Sequence, residues 1–245
     1  MNLGFIVAPL AISGISAALA ALISITDKIV NNYGEVTVDI NNGAEELSFN
    51  GGANLLNSLA EQGIFIPSAC GGRGSCGECK VKVTSDIGPY MPTELPLLSK
   101  EQMKEHIRIS CQVKVKQDMS IEIPDELFKV QQLTATVEKI TDVTHDIKEV
   151  LLKLPEGTDI DYVSGQYGQF SVPPYGKVKE STFRAYSMSS PPYDKEHLEF
   201  LIRLVPGGIV TTYVHEHLQQ GQKIEVVAPF GDFYVRDTDA QVICV

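Results

Sequence analysis

Hydrophobic and polar positions alternate along this chain in three different rhythms. The first is no rhythm at all. From Leu3 to Ile25, twenty-three residues pass without a charge. That exceeds the ~20 residues with which a helix crosses a bilayer. The pattern predicts a transmembrane anchor over residues 1–28, ended by Asp27 and Lys28. Gly4, Pro9 and Gly14 are tolerable there, because a helix in lipid satisfies its own backbone. A secretory signal peptide is the rival reading. Ala18-Leu19-Ala20 has the small-residue character of a cleavage site, but no Lys or Arg precedes the run, and the run is too long.

A mixed rhythm follows. Val36, Val38 and Ile40 alternate with polar residues, Asn41-Asn42-Gly43 is a turn, and Leu47 and Phe49 alternate again. This predicts a hairpin over 33–50. Leu55, Leu56, Leu59 and Ala60 share one face of a helix over 54–62, and Gly63 stops it. Strands are expected at Lys80–Val83, along Ile107–Val115 and at Ser120–Ile123, making a small α+β unit. From Gln131 onward short alternating runs dominate: Leu133–Ile140, Asp146–Leu154, Gly168–Val172, Leu198–Leu204 and Lys223–Ala228. One helix, from Ile209 to Gln219, interrupts them after Pro206-Gly207-Gly208. Many short strands and a single helix predict a β-barrel.

The cysteines change the picture. Cys70, Cys76 and Cys79 stand in a Cys-x5-Cys-x2-Cys loop with Gly71, Gly72, Gly74 and Gly77, and Cys111 follows after thirty-one intervening residues. Four thiolates suit a [2Fe–2S] cluster, and the spacing is one residue longer than the plant type. A glycine-rich backbone can bend round such a group and turn its N–H groups toward sulfur. Structural zinc pairs two short hooks, and here the second hook is a single cysteine. Disulfides give no reason for four glycines around three clustered cysteines. The metal ligands expected are therefore Cys70, Cys76, Cys79 and Cys111. The fifth cysteine, Cys244, reads as a buried thiol.

With these residues in view, and with Arg108-Ile-Ser-Cys111-Gln-Val, residues 34–128 resemble a [2Fe–2S] ferredoxin domain of the β-grasp type. Net charge is −11, which argues against nucleic acid as a partner. The acidity suits docking of a basic redox partner, or equally a solvated surface. His215 and His217 lie two apart on a helix and diverge, and none of the five histidines is assigned a catalytic role.

In the second unit, Arg184 and Tyr186 share one face of a strand and Ser187 takes the other. An arginine can fork onto a diphosphate, a tyrosine can stack on a flat ring, and a serine can bond a ring nitrogen. Thr211 and Thr212 lie in the first turn of the helix, where free N–H groups favour phosphate. Alone, Arg-x-Tyr-Ser is a weak signal. Together with Gly165-Gln166-Tyr167, Gly207-Gly208 and Pro229-Phe230-Gly231-Asp232, it makes residues 131–236 resemble the FAD-binding barrel of the ferredoxin–NADP reductase family. The resemblance implies that Arg184 binds the FAD diphosphate, Tyr186 stacks on the isoalloxazine and Ser187 contacts N5. It also implies that Gly208, Thr211 and Thr212 hold phosphate.

Residues 237–245 look like the first strand of an α/β NAD-binding domain, and the Gly-x-Gly-x-x-Gly that the sequence does contain, Gly72 to Gly77, belongs to the cysteine loop and not to a strand-to-helix turn of such a domain. The reading is a chain cut short before that domain, lacking the NADH site and inactive with NADH by itself. An anchor, a ferredoxin unit and an FAD barrel, in that order, resemble the F subunits of sodium-translocating NADH:quinone oxidoreductases. Met91-Pro92-Thr93-Glu94-Leu95 and Arg184-Ala-Tyr186-Ser187-Met188 match that family, while the segment between Gln166 and Arg184 is shorter than it usually carries. The resemblance implies an enzyme subunit in the bacterial inner membrane, single-pass, with its domains on the cytoplasmic side. Its partners would be the other subunits and a quinone. Electrons would pass from NADH through FAD and the cluster to a sodium-translocating complex. The other readings are the reductase component of an oxygenase, and an electron carrier without flavin.

Overall fold

The structure is a computed structural model that describes residues 4–30 and 33–234. The strand expected at 237–245, and Cys244 with it, lie outside the described residues. Helix α1, Gly4–Val30, stands where the anchor is expected, and twenty-seven residues make it about 40 Å long. Its side chains are described from Ser13 to Thr26, all of them exposed. Among the described residues no helix is long and apolar enough to cross a membrane, so the expected span is not met there.

The next unit is a five-stranded mixed sheet. Its strands are β1 (Glu35–Ile40), β2 (Glu45–Asn50), β3 (Lys80–Val83), β4 (Ile107–Ile109) and β5 (Met119–Glu122), in the order β2-β1-β5-β3-β4. β1 and β2 form the predicted hairpin, with Val36 opposite Phe49 and Val38 opposite Leu47. Asn41 and Asn42 adopt positive φ at its turn, a conformation asparagine tolerates better than most residues. Val36, Val38 and Ile40 point into the core, as their alternation requires. β1 runs parallel to β5, so the chain must cross over between them. Helix α2, Leu55–Glu61, makes the start of that crossing. The Asn54 side chain caps it by accepting from the Asn57 N–H, and Gly63 at φ 83° turns the chain away. Leu55 and Leu59 on its inner face are fully buried against the sheet.

Two departures from expectation lie in this unit. The extended piece along Ile107–Val115 is a strand only over Ile107–Ile109; the backbone then turns through Ser110–Gln112, with Gln112 N–H on Ile109 O at 2.8 Å. That turn carries Cys111 toward the cysteine loop. A short helix, α3 (Lys100–Lys104), was not anticipated. Its signal is a capping box in which Ser99 and Gln102 serve each other's backbone N–H.

A 3-10 helix, Asp125–Lys129, leads into the second unit. Six strands form an all-antiparallel barrel: β6 (Gln131–Asp142), β7 (Ile147–Lys153), β8 (Tyr167–Val172), β9 (Thr182–Ser187), β10 (His197–Arg203) and β11 (Lys223–Phe230). Their order is β10-β7-β6-β11-β8-β9. A bridge from Met188 to Phe200 joins β9 back toward β10 and closes the ring. Phe170, Phe200, Leu152, Leu198 and Ile202 fill it. Helix α4 (Ile209–Glu216) covers one side, burying Val210, Tyr213 and Val214.

Candidate functional site

The loop from Cys70 to Cys79 is shaped by its glycines. Gly71, Gly72, Gly74 and Gly77 all hold φ between 71° and 76°, the left-handed region closed to most side chains. Gly77 and Gly74 also admit a neighbour from their own unit. A Cβ on Gly77 would lie 3.3 Å from that of Leu97, and one on Gly74 would collide with the Gln112 amide. Ser68, fully buried, starts the loop: its hydroxyl accepts from Gly72 N–H at 2.9 Å and its carbonyl from Gly71 N–H at 3.3 Å.

Cys70, Cys76, Cys79 and Cys111 are all free thiols. They associate in twos, Cys70 hydrogen-bonded with Cys76 and Cys79 with Cys111. Among the described residues no three Cys, His, Asp or Glu side chains gather as ligands of one metal ion. Two pairs of thiols fit a two-iron cluster, in which each iron completes its tetrahedron with two protein sulfurs. The surroundings of Cys70 and Cys111 favour thiolate. Burial opposes ionisation of Cys70, but N–H groups of Ser75 and Cys76 outweigh it and bring the thiol to about 6. Hydrogen bonding from Cys79 brings Cys111 to about 6 against the effect of burial, aided by the Gln112 side chain and the Gly74 N–H. Cys79, the donor in that pair, is correspondingly raised. The Cys76 sulfur also accepts from Glu78 N–H at 3.5 Å. Cys79 and Cys111 are buried, whereas Cys70 and Cys76 are half-buried. The donor set and the N–H groups turned toward it fit the cluster that the spacing implies.

The barrel presents β8 and β9 to this loop. Arg184 on β9 donates from Nη1 to the Cys70 carbonyl at 3.3 Å and to the Phe183 carbonyl at 2.6 Å. A Cβ on Gly71 would lie 3.2 Å from that guanidinium nitrogen. Gln169 on β8, 5% exposed, reaches the Ser68 carbonyl with a long hydrogen bond of 3.5 Å. Between them, α2 and the barrel wall leave a cavity of 400 Å³, lined by Leu56, Phe65, Gly71, Phe183 and Val227 among others.

Tyr186, half-buried, meets the Phe170 ring edge-on at 6.3 Å, and burial pushes its hydroxyl up to about 12. It lies across from Gly168, where a Cβ would stand 3.2 Å from Val226 and 3.3 Å from Phe200. Ser187 is exposed and pairs with Tyr167. Thus Arg184 and Tyr186 share one face and Ser187 takes the other. Gly208 is the N-cap of α4, its N–H on Val205 O at 2.9 Å. Thr211 is buried and its hydroxyl engages the N–H and carbonyl of Val205 at 3.2 Å, so its side chain shapes the turn before α4. Thr212 donates its N–H to the Gly208 carbonyl at 3.0 Å. The first-turn N–H groups of α4 are those that a helix leaves without intrahelical partners.

Two contributors escaped sequence reasoning. Gln169 and Ser68 carry no motif. Tyr167 does belong to one, Gly165-Gln166-Tyr167, yet its stack on Phe230 at 5.6 Å needs the fold to be seen. Burial, then the charges of Glu78 and Cys76, push the Tyr167 hydroxyl up to about 12, which places it beside the cysteine loop.

Comparison with known proteins agrees with both units. The family of 2Fe-2S iron-sulfur cluster binding domains matches residues 38–116, and the oxidoreductase FAD-binding domain family matches residues 134–234. Among solved structures, the cytochrome P450 reductase GcoB of Amycolatopsis superposes with a TM-score of 0.60 at 27% identity, over 82% of this chain and 59% of that one. The ferredoxin reductase in carbazole 1,9a-dioxygenase shares the fold, with a TM-score of 0.55 at 23% identity over 84% of this chain and 60% of its own. The F subunit of the Na(+)-translocating NADH-quinone reductase of Neisseria gonorrhoeae is 36% identical over 93% of this chain and 64% of its own length. Its counterpart in Marinomonas sp. is 38% identical over 100% of this chain and 68% of its own length, so the chain spans about two thirds of these relatives. On that similarity the chain belongs to the family of Na(+)-translocating NADH-quinone reductase F subunits.

Proposed function

We propose that this chain is an electron-input unit that passes electrons from NADH, by way of FAD, to a [2Fe–2S] cluster and on to a quinone-reducing, sodium-translocating complex. The observation that carries the reading is the contact between Arg184 of the barrel and Cys70 of the cysteine loop, 114 residues apart in sequence. It sets the two cofactor-binding units face to face.

In this reading Cys70, Cys76, Cys79 and Cys111 hold the two irons, Cys70 with Cys76 and Cys79 with Cys111. Gln112, Glu78 and the loop N–H groups direct hydrogens at the sulfurs and so raise the ease of reduction. Arg184 would fork onto the FAD diphosphate, Tyr186 would stack on the isoalloxazine, and Ser187 would bond the flavin ring edge. Gly208, Thr211 and Thr212 lie at the start of α4, whose dipole suits phosphate; the N–H groups of Gly208 and Thr212 already serve Val205 O and Gly208 O, so the first-turn N–H groups left to a phosphate are those of Ile209, Val210 and Thr211. When bound, FAD supplies the conversion of a two-electron hydride into single electrons, which a [2Fe–2S] cluster accepts one at a time. NADH would bind to a further nucleotide-binding domain of the whole subunit.

Helix α1 is proposed as a single-pass anchor in the bacterial inner membrane, with residues 34–234 on the cytoplasmic side. The uncharged run from Leu3 to Ile25 supports this, as do the exposed Ile15, Leu19, Leu22, Ile23 and Ile25, each 53–67% accessible. An anchor holds the unit near its membrane partners and raises their effective concentration. The other subunits of the complex and its quinone are the partners this implies.

A second reading, the reductase component of an oxygenase, is favoured by the likeness to the Amycolatopsis cytochrome P450 reductase. The uncharged N-terminal run separates the two readings. Membrane fractionation of the intact chain tests this: recovery with the membrane supports the first reading, and recovery uncleaved in the soluble fraction supports the second. Iron, sulfide and flavin analysis of anaerobically purified protein tests the redox assignment itself. Two irons and one FAD per chain are expected; zinc, or iron without flavin, would overturn it.

A further inference from the structure

The two units touch without packing tightly, since the cavity between α2 and the barrel wall remains open at 400 Å³. Close-packed apolar burial therefore does not by itself fix how they sit, and an interface of this kind ordinarily leaves domains free to move. What spans the gap instead is polar and specific. Gln169 and Arg184 lie on neighbouring strands of the barrel, and both reach the same short stretch of the cysteine loop. Gln169 donates to the Ser68 carbonyl and Arg184 to the Cys70 carbonyl. Ser68 in turn holds the loop's first two glycines through its hydroxyl and its carbonyl. Gly71, with no side chain, lets the loop rest against Arg184 and the Phe183 carbonyl, 3.5 Å from where a Cβ would stand.

We propose that Gln169 and Arg184 form a two-point clamp that seats the cluster-bearing loop on the barrel and turns the Cys70–Cys76 side of the cluster toward it. The proposal deepens the electron-input reading and rests on it. Gln169 is a positioning residue: it acts through Ser68, whose carbonyl it meets. Each transfer takes one electron from the reduced flavin and turns one ferric iron ferrous; no bond of the chain is made or broken. The exposure of the thiols agrees with this orientation. Cys70 and Cys76 are the half-buried pair, and Cys70 lies on the barrel side, while Cys79 and Cys111 are buried within the ferredoxin unit.

The test uses the whole chain carrying both cofactors and two variants, Gln169→Glu and Gln169→Met. Glutamate keeps the shape but sets a carboxylate against the Ser68 carbonyl. Methionine keeps the volume and removes the donor. Flavin is reduced by a laser flash, and the bleaching of the cluster is followed. Hydrogen exchange is measured on the amides of residues 68–72, with flavin and iron content and both midpoint potentials as controls. The expected result is transfer about tenfold slower in Gln169→Glu, the scale on which small displacements act in positioned reactions. A smaller loss is expected in Gln169→Met, with faster exchange at Gly71 and Gly72 in both and with contents and potentials unchanged. Parent rates and parent exchange in both variants would overturn the clamp, as would a loss of flavin in step with the rate. Parent protein without flavin would remove the electron-input reading alone, and the exchange comparison would still decide the clamp.

Discussion

Arg108 and Glu94 form a two-pronged ion pair inside the ferredoxin unit: Nε to Oε1 at 2.9 Å and Nη2 to Oε2 at 2.7 Å. The Glu94 side chain is 0% exposed and that of Arg108 7%. The remaining valences are also satisfied. Glu94 accepts the N–H groups of Met91 and Ile109, while Arg108 donates to the carbonyls of Gly88 and Pro89 and lies over the Tyr90 ring. The pair pins the 88–94 loop to β4, two residues before the turn that carries Cys111. Leu97, just beyond the loop, packs against Gly77. The cysteine loop is thus held by its own unit as well as by the barrel.

Breaking a buried pair by removing one partner leaves the other charge uncompensated, at a cost of about 3–5 kcal/mol. Glu94→Ala should destabilise the ferredoxin unit by that amount and increase loss of iron on dilution. Urea unfolding followed by cluster absorbance measures both. A loss under about 1 kcal/mol, the scale of an exposed pair, would mean that water or Tyr90 replaces the carboxylate. The pH dependence follows from the same pair. Burial opposes ionisation of Glu94, but Arg108 and the N–H groups of Met91 and Ile109 hold its carboxyl below the usual range. A group with a depressed folded value adds stability above its unfolded value, about 4.3, and that stability is lost as pH falls through the folded value. Wild type should therefore weaken below about pH 4, and Glu94→Gln should lack that part of the acid sensitivity.

Cys76→Ala should abolish the visible absorption of the cluster and leave flavin content unchanged, because the proposed ligands and the proposed flavin-side residues lie in units with separate cores. Loss of both cofactors together would show that the barrel depends on the cluster loop for its fold. Visible spectra and flavin release after heating distinguish the two.

Arg184→Ala has a double expectation, because the residue reaches the cysteine loop as well as the proposed diphosphate position. FAD binding should weaken by roughly 10- to 100-fold, the loss of one charge-assisted contact. Iron content should stay at the parent level, since Arg184 meets Cys70 through a carbonyl and not through sulfur. Titration of the flavin-free protein with FAD gives the affinity directly. Unchanged affinity would remove Arg184 from the flavin site and leave it a purely interdomain contact.

The sequence made the local half of this architecture legible and left the contacts across it hidden. Alternation of Val36, Val38 and Ile40 marks a half-buried strand because the pleat has a period of two. The glycines around Cys70, Cys76 and Cys79 mark a loop at positive φ because few other residues fit there. Asn54 and Gly63 mark the ends of α2 for equally local reasons. By contrast, the Ser99–Gln102 capping box was present in the sequence, but five helical residues give too little periodicity to be noticed. Extended structure was expected through Cys111, yet the need to bring that thiol to Cys79 bends the chain after Ile109. Glu94 stood out only as part of a matching stretch; its burial depends on Arg108, fourteen residues away. Thr211 sat at the right place for phosphate, and only packing reveals that its hydroxyl serves Val205. No periodicity could have joined Gln169 to Ser68 or Arg184 to Cys70, since neither the sheet order nor the closure of the barrel is written in local pattern.

Gln112 offers the most direct test of how the chain sets the cluster potential. Its Nε2 donates to the Cys111 sulfur at 3.4 Å, and the amide fills the space over Gly74. A hydrogen bond to a ligand sulfur stabilises the more electron-rich, reduced cluster more than the oxidised one. Removing it should therefore lower the potential. Taking ~1 kcal/mol for the bond, and about 59 mV per tenfold change for one electron, the shift is roughly 40 mV. Gln112→Leu keeps the bulk over Gly74 and removes the donor; Gln112→Glu keeps the shape and adds a negative charge, which should lower the potential further. An EPR-monitored redox titration of each variant reads the shift. A potential unchanged in Gln112→Leu but lowered in Gln112→Glu would mean that charge, and not the hydrogen bond, acts at this position.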